Sequence, residues 1–467
     1  MGVQGLTGIL SRYAPKSVRN VSCAAFAAQT IAIDASCHLN KFIYGDEPHA
    51  HRHIYGFYQL TRFCDMNNIK PIFVFDGLRR LEAKKLEHAK RERSRRKVKH
   101  SLLFEQEQSL RLDNWAEVSD MYDQTGISKE SMHAILGEMS DTIDEIEKVE
   151  EQQKAPLTDQ KAISDEKQFE IESKLTQIAQ ELRVAIAIAE DSEKYTRTVR
   201  DLAKRERELV SDIIVHRSDS LRPALDQLRR DNQAMLQSLE KRSLRVTQRM
   251  RDECKDFLQK LGYVCFTCHD HEAEAMCANM GRLGRASAIV SEDTLVFGNS
   301  PLLRYFFSKN RQILSIDPIV AREELNLSRD AFVDFCILCG TDFSGTIRGI
   351  GPHRALKAIQ KYGSIEALTM NLDPRYSPQD TFDYKQARKV FNNLPPIPTE
   401  DEAYVPLNTS RAEKRELLEY YDIDPTEVDK KIQNAVLNQS IINHQNWGVN
   451  PFLSNTNHLA EQNLLKL

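Results

Sequence analysis

No apolar stretch in this 467-residue chain approaches the roughly 18–20 residues that a helical membrane span requires, so no membrane partner is expected. No secretory signal is apparent either, and nine cysteines without one are expected to be free thiols in a reducing compartment. An N-myristoylation start is discounted, because position 6 is Leu6 rather than Ser or Thr. Charge of one sign is also lacking: 64 Lys and Arg stand against 68 Asp and Glu, a net charge of −4, so the chain as a whole is no magnet for polyanions. Glycine is scarce over 100–245 (Gly126, Gly137), and proline there is confined to Pro156 and Pro223, which leaves that stretch few turn formers.

What is present is a set of acids at the ends of apolar runs. They close Ile31-Ala32-Ile33-Asp34, Ile72-Phe73-Val74-Phe75-Asp76, Ala288-Ile289-Val290-Ser291-Glu292-Asp293 and the run from Phe335 to Gly340-Thr341-Asp342, and Glu272-Ala273-Glu274 adds two at a helix start. A carboxylate at the end of a buried strand is costly to desolvate and needs a task. Several brought together repel, and a divalent cation is their natural partner. Metal-assisted phosphoryl chemistry follows, in which two ions clamp the attacking and leaving oxygens of a phosphodiester. Charge is segregated as well. Residues 77–99 hold eleven Lys and Arg against Glu82, Glu87 and Glu92, a local +8 suited to phosphates.

Residues 29–99 read as strand, helix, strand, helix, with strands at Ile31–Asp34 and Ile69–Asp76 and helical spacing over Ile54–Met66. That alternation predicts βαβ units and a parallel sheet with functional groups at the carboxyl ends of its strands. Residues 100–245 are dominated by Glu, Lys, Gln and Arg, and Leu175, Ile178, Leu182, then Leu221, Leu225, Leu228, Met235 and Leu239 recur at helical spacing. We read long helices broken near Pro156 and Ser218–Pro223, packed as an antiparallel coiled-coil hairpin; the competing reading for 100–165 is a partly disordered charged insert. Residues 246–370 return to α/β: helices over Glu253–Leu261, Glu272–Leu283 and Arg329–Leu338, strands at Tyr263–Phe266 and Ala286–Val290, and a helix opening at Arg354. A helical region follows at 371–439, and the Asn- and Gln-rich residues 440–467 are expected to be weakly ordered.

These blocks resemble the XPG / flap-endonuclease superfamily of structure-specific 5′ nucleases. Met1-Gly2-Val3-Gln4-Gly5-Leu6 is similar to the N-terminal motif of that family, and Ala14-Pro15 and Ile31–Ser36 follow at its spacing. Lys70–Gly77, Glu272-Ala273-Glu274-Ala275, and Cys339–Asp342 with Ile347–Pro352 match its later blocks in order. The resemblance covers 1–99 and 246–370 and implies an α/β fold: a PIN-like parallel-sheet nuclease core, with 100–245 as an arch-like insert and an α-helical C-terminal part carrying a helix-two-turn-helix. It implies two Mg²⁺ ions, with Mn²⁺ as a substitute, and a 5′-flap, branched or 5′-ended DNA substrate cut in repair or replication without a covalent intermediate. Asp34, Asp76, Glu272 and Glu274 would hold the first metal; Glu274 would also reach the second, with Asp293 and, through water, Asp342. Lys84 and Arg91, seven apart and read as two turns of one helix face, match the gateway pair that contacts the scissile phosphate. Lys85 and Lys90 are their rivals, with Arg79 and Arg80 nearby. Gly349-Ile350-Gly351-Pro352, aided by Arg348, His353, Arg354 and a K⁺ ion, would hold duplex phosphates. Gly2 would lie near the active site if Met1 is removed. The implied compartment is the nucleus, with the mitochondrion as alternative.

The fourth block departs from the family pattern. Ser291-Glu292-Asp293-Thr294-Leu295 lacks the second Asp, which normally binds the second metal, so that ion should be weakened. Asn40 replaces a base-stacking aromatic, no sliding-clamp box is evident, and the 196 positions from Asp76 to Glu272 exceed a simple arch, offering a protein partner a surface. A catalytically weakened DNA- or protein-binding scaffold is therefore the rival reading, and an RNA-directed nuclease a third. Cys265-x-x-Cys268 and Cys336-x-x-Cys339, with His269 and His271, have the spacing of a zinc tetrad, but both pairs fall in apolar segments where Cys packs as a small hydrophobe. His49, His51 and His53 are read as a solvated loop.

Overall fold

The computed structural model describes residues 3–79, 81–125, scattered positions between 173 and 206, and 221–291, 295–308 and 311–444. Seven short strands form one sheet: β1 (Val18–Val21), β2 (Thr30–Asp34), β3 (Lys70–Asp76), β4 (Val264–Cys268), β5 (Ala288–Val290), β6 (Leu302–Arg304) and β7 (Ile313–Ile316). Their order is β1-β7-β6-β5-β2-β3-β4. From β4 across to β6 every pairing is parallel, while β7 joins β6, and β1 joins β7, antiparallel. The strands β1, β6 and β7 were not legible as strands, being only three or four residues long.

The parallel strands are apolar at nearly every position because both faces of the sheet are covered. Successive side chains alternate sides. Ala32, Ile72, Val74 and Ile289 pack with α1 (Leu6–Tyr13) and two later helices described below. Ile31, Ile33, Phe73, Phe75 and Val290 pack on the other face with α2 (Ala35–Tyr44) and α3 (Arg52–Met66). The fold is thus α/β with helices on both faces of a mostly parallel sheet.

Helices α4 (Lys85–Thr125) and α5 (Leu221–Ser243) belong to the insert, and α6 (Gln248–Leu261) returns the chain to the second face of the sheet. Helix α7 (Ala273–Arg282) joins β4 to β5 on the first face, and α8 (Pro318–Leu325) follows β7. Helix α9 (Arg329–Cys339) also lies on that face, and two turns connect it to α10 (Pro352–Tyr362). Asp334 on α9 is buried, accepts from the Ile365 N–H at 3.0 Å and takes Arg388 at 2.8 Å. Among the described residues no helix is long and apolar enough to cross a membrane.

The chain separates into two compact units, Met1–His88 with Val246–Leu467, and Ala89–Arg245. In the second unit Ile178, Leu182, Leu225, Leu228 and Leu239 are buried, as their helical spacing predicts, while the side chains of Leu175 and Leu221 lie outside the described residues. Residues 126–172, which include Pro156, and the tail from 445 onward also lie outside them, so the expectations for a disordered insert and a weakly ordered tail are not addressed there. The unit also buries polar groups. Arg111 donates from Nε and Nη2 to both carboxylate oxygens of Glu206 at 3.0 and 2.9 Å, and Gln108 Nε2 donates to Glu206 Oε2 at 2.8 Å. Asn232 Nδ2 donates to Glu105 Oε2 at 2.8 Å, and among the described residues Glu105 Oε1 has no partner.

Burial pushes the Glu105 carboxyl up to about 7, aided by the charge of Glu206 and opposed by the Asn232 hydrogen bond and by Arg111. Its folded pKa therefore lies above its unfolded value of 4.5. The associated stabilisation is complete below the unfolded pKa and is lost as pH rises through the folded one. Chemical denaturation between about pH 4.5 and 7 should show the second unit losing on the order of 3 kcal/mol, and Glu105→Gln should flatten that slope. In the first unit, Arg388→Met should cost about 3–5 kcal/mol in the same measurement, because it strands the buried Asp334 carboxylate.

Candidate carboxylate site

The parallel register sets Asp34 beside Val74 and Asp76 beside Cys268, so both acids emerge at the carboxyl ends of adjacent strands. Both have local work there. Asp34 caps α2, its Oδ1 accepting the Cys37 N–H at 3.1 Å. Asp76 Oδ1 accepts the Ala273 N–H at 2.8 Å, which caps the first turn of α7 from another chain segment. Gly77 lets β3 turn away at this point. Its N–H donates to the Cys268 carbonyl at 2.7 Å, and a Cβ on it would lie 2.6 Å from that same oxygen.

Glu272 is the N-cap residue of α7 and Glu274 sits in its first turn, as the helix start predicts. Ser291, buried at the end of β5, places its Oγ 3.4 Å from both Asp34 Oδ2 and Glu274 Oε2 and so ties two of the acids together. On the other side Lys84 Nζ donates to Glu272 Oε2 at 2.5 Å and stands 3.7 Å from Asp342 Oδ2. Its ammonium also lies 5.1 Å from the centre of the Phe343 ring. Burial alone would lower the Lys84 pKa, but the charges of Glu274 and Glu272 and the hydrogen bond to Glu272 reverse this and hold it above its usual range. Burial raises the Glu272 carboxyl, opposed by Lys84 and reinforced by the charges of Asp76 and Asp342. Asp34, Asp76, Glu272, Glu274 and Asp342 therefore form one electrostatically linked set.

Among the described residues, no three His, Cys, Asp or Glu side chains stand together as an ion would need them. The acids are joined in pairs, through Ser291, Lys84 and the start of α7. Their donors are all oxygen, the chemistry that suits Mg²⁺ or Mn²⁺ rather than zinc. The residues present thus fit a hard divalent cation in kind, with the carboxylates turned to protein partners.

The expectation that Lys84 and Arg91 share one helix face needs correction. Lys84 ends a short 3₁₀ turn, Glu82–Lys84, and α4 begins only at Lys85. That turn points Lys84 inward, to 7% exposure, where the acids compensate its charge, while Lys85 faces solvent and pairs with Glu82 at 3.0 Å. Arg91 and Lys90 lie on α4 in the second unit. Arg79 is exposed and pairs with Asp270 at 3.1 Å. Gly2, Arg80, Glu292 and Asp293 lie outside the described residues.

In the turns between α9 and α10, Gly349 has φ +87°, and its carbonyl accepts from Arg354 Nη1 at 2.6 Å. Arg354 thus braces the turn. Arg348, Gly349, Gly351, His353 and Arg354 are all exposed. Burial raises the Cys265 and Cys268 thiols to about 12 and also raises those of Cys336 and Cys339, favouring the protonated form that packs. His51 stacks edge-on against Tyr421, and His53 meets Glu253 at 3.3 Å, so the histidine triplet packs against the later part of the chain rather than lying in solvent.

Sequence reasoning passed over two residues as site members. Ser291 appeared only as a letter in its block. His271 was weighed only for zinc, yet its Nδ1 accepts the Glu272 N–H at 2.8 Å and its Nε2 faces the Val390 carbonyl at 3.2 Å. Burial, with Lys84 adding to it, lowers its pKa, so a neutral ring orients the start of α7.

Comparison with known proteins gives two family matches. The XPG N-terminal domain family model matches residues 1–98, and the XPG I-region model matches 266–342. Both matched models are parts of the XPG family, and they follow one another along the chain in that order. It is similar to flap endonuclease 1 of Chlamydomonas reinhardtii, 36% identical over 211 residues, covering 44% of this chain and 52% of that protein. Flap endonuclease 1 of Caenorhabditis elegans is 34% identical over 208 residues, covering 43% of this chain and 53% of that protein. The chain thus spans about half the length of the curated relatives it matches. Among solved structures it is similar to the catalytic core of Rad2 in complex with DNA substrate, with 14% identity and a TM-score of 0.49, covering 93% of this chain and 100% of that one.

Gly77→Ala should lower stability by about 1–3 kcal/mol in thermal or denaturant unfolding, because the backbone oxygen facing the new Cβ has nowhere to go. Gly351→Ala, with no atom within 4 Å of the new Cβ, should be near neutral.

Proposed function

We propose that this XPG protein is a metal-dependent, structure-specific DNA nuclease that hydrolyses phosphodiesters of 5′-flap or branched DNA. The observation that carries the reading is the linked set of five carboxylates from four chain segments, gathered around the ends of the parallel strands β2, β3 and β5. Four of these acids meet two by two, Asp34 and Glu274 at Ser291 and Glu272 and Asp342 at Lys84. The flap endonuclease names of its relatives support a flap substrate.

In this reading Asp34, Asp76, Glu272 and Glu274 hold the first divalent ion, and Glu274, Asp293 and Asp342 serve the second. Bound there, Mg²⁺ or Mn²⁺ would supply charge to stabilise the pentacoordinate phosphate and to acidify water. Ser291 aligns Asp34 with Glu274, and neutral His271 holds Glu272 in place. Lys84 and Arg91 face the scissile phosphate. The basic run of Arg79, Arg80, Lys85 and Lys90 attracts the DNA backbone. The exposed turn at Arg348, Gly349, Gly351 and His353, with a K⁺ ion, grips the duplex, and Arg354 keeps that turn in shape. Gly2 borders the site. The insert docks a protein partner, and the protein works on chromosomal DNA in the nucleus, with mitochondrial DNA as the alternative.

The missing second Asp after Asp293 favours one other reading, a scaffold that binds DNA or protein without cutting. Labelled 5′-flap, nicked and hairpin duplexes, with an RNA flap as control, separate the two. The nuclease reading predicts incision with Mg²⁺ or Mn²⁺ that falls by about 10²-fold or more in Asp76→Ala, the scale of losing a major electrostatic group. No incision by the parent protein with either metal would end it.

A further inference from the structure

Within the basic stretch 77–99, Lys84 has its ammonium seated among the site acids of its own unit. It is 7% exposed, 2.5 Å from Glu272 Oε2, 3.7 Å from Asp342 Oδ2 and 5.1 Å from the Phe343 ring centre. Its neighbour Lys85 is 80% exposed at the side chain and does not share this seat. The oxygens it engages belong to two of the five residues that a divalent ion would need. A buried ammonium and a dication sharing those lone pairs would repel strongly at such distances.

We propose that Lys84 is the resident counter-ion of the metal-free carboxylate cluster, and that a divalent cation enters by exchanging with it. The ammonium leaves Glu272 and Asp342 as the ion arrives, so metal loading and release of Lys84 form one linked equilibrium. This role differs from phosphate contact and precedes it: the side chain becomes available to DNA only after the metal has taken its place. The cluster is kept from self-repulsion in the meantime, and the apparent metal affinity is lowered by the cost of displacing the lysine. The inference rests on the metal-dependent reading of the same carboxylates.

Amine-reactive labelling of the full chain, read by mass spectrometry at Lys84, tests it without any mutation. Lys84 should be protected in EDTA and label several-fold faster in saturating Mn²⁺ or Mg²⁺, with Lys85 unchanged. Calorimetric titration should show Lys84→Met binding Mn²⁺ at least ten-fold more tightly than the parent. Labelling of Lys84 that is indifferent to metal, no binding of either metal, or unchanged or weaker Mn²⁺ binding in Lys84→Met would each overturn the proposal. If Lys84→Met does not fold, the labelling of the parent protein decides. A protein that exchanges Lys84 for Mn²⁺ yet cuts no DNA would end the nuclease reading and leave this one standing; one that cuts DNA with Lys84 shielded in both conditions would end this one alone.

Discussion

Carboxylates gathered in a partly buried pocket must be balanced by positive charge or by donated hydrogen bonds, and that requirement shapes the centre of this molecule. Three contacts among the described residues help to meet it. The start of α7 gives an N–H to Asp76, the single Ser291 hydroxyl proton lies within reach of Asp34 and Glu274, and Lys84 stands between Glu272 and Asp342. Each comes from a different stretch of chain, so the balance exists only in the folded protein. The cluster is both a cost to folding and the feature that makes the protein an XPG nuclease candidate.

The sheet makes the cluster reachable. Parallel pairing puts the carboxyl ends of β2, β3 and β5 side by side, and helices on both faces leave those ends as the place where polar groups can collect. Gly77 allows the backbone of β3 to pass against that of β4, which holds Asp76 against the first turn of α7. Neutral His271 braces the same turn from behind through the Glu272 amide. The site is thus supported by close backbone approaches as much as by side chains. The insert solves a different problem, burying Arg111, Glu206, Glu105 and Asn232 in a polar seam among its helices.

Much of this was legible beforehand, for local reasons. The strands β2 and β3 announce themselves because burial on both faces demands unbroken apolar runs, and their terminal acids stand out against that background. The helix beginning at Glu272-Ala273-Glu274 and the turn at Gly349 likewise follow from local chemistry. The strands β1, β6 and β7 were not legible, since three or four residues are too few to carry a periodic signal. The histidine triplet was misread as a solvated loop, because the aromatic that covers it, Tyr421, lies far along the chain.

By itself, then, the chain determined which residue types stand where strands and helices end, because apolar periodicity and capping chemistry act over a few residues. Tertiary structure alone decided how their charges are balanced. Lys84 lies one residue before α4, and nothing in a run of basic residues says which one turns inward. That choice was made by Glu272, 188 positions away, and by Asp342 beyond it, since a buried ammonium is stable only where distant carboxylates converge on it.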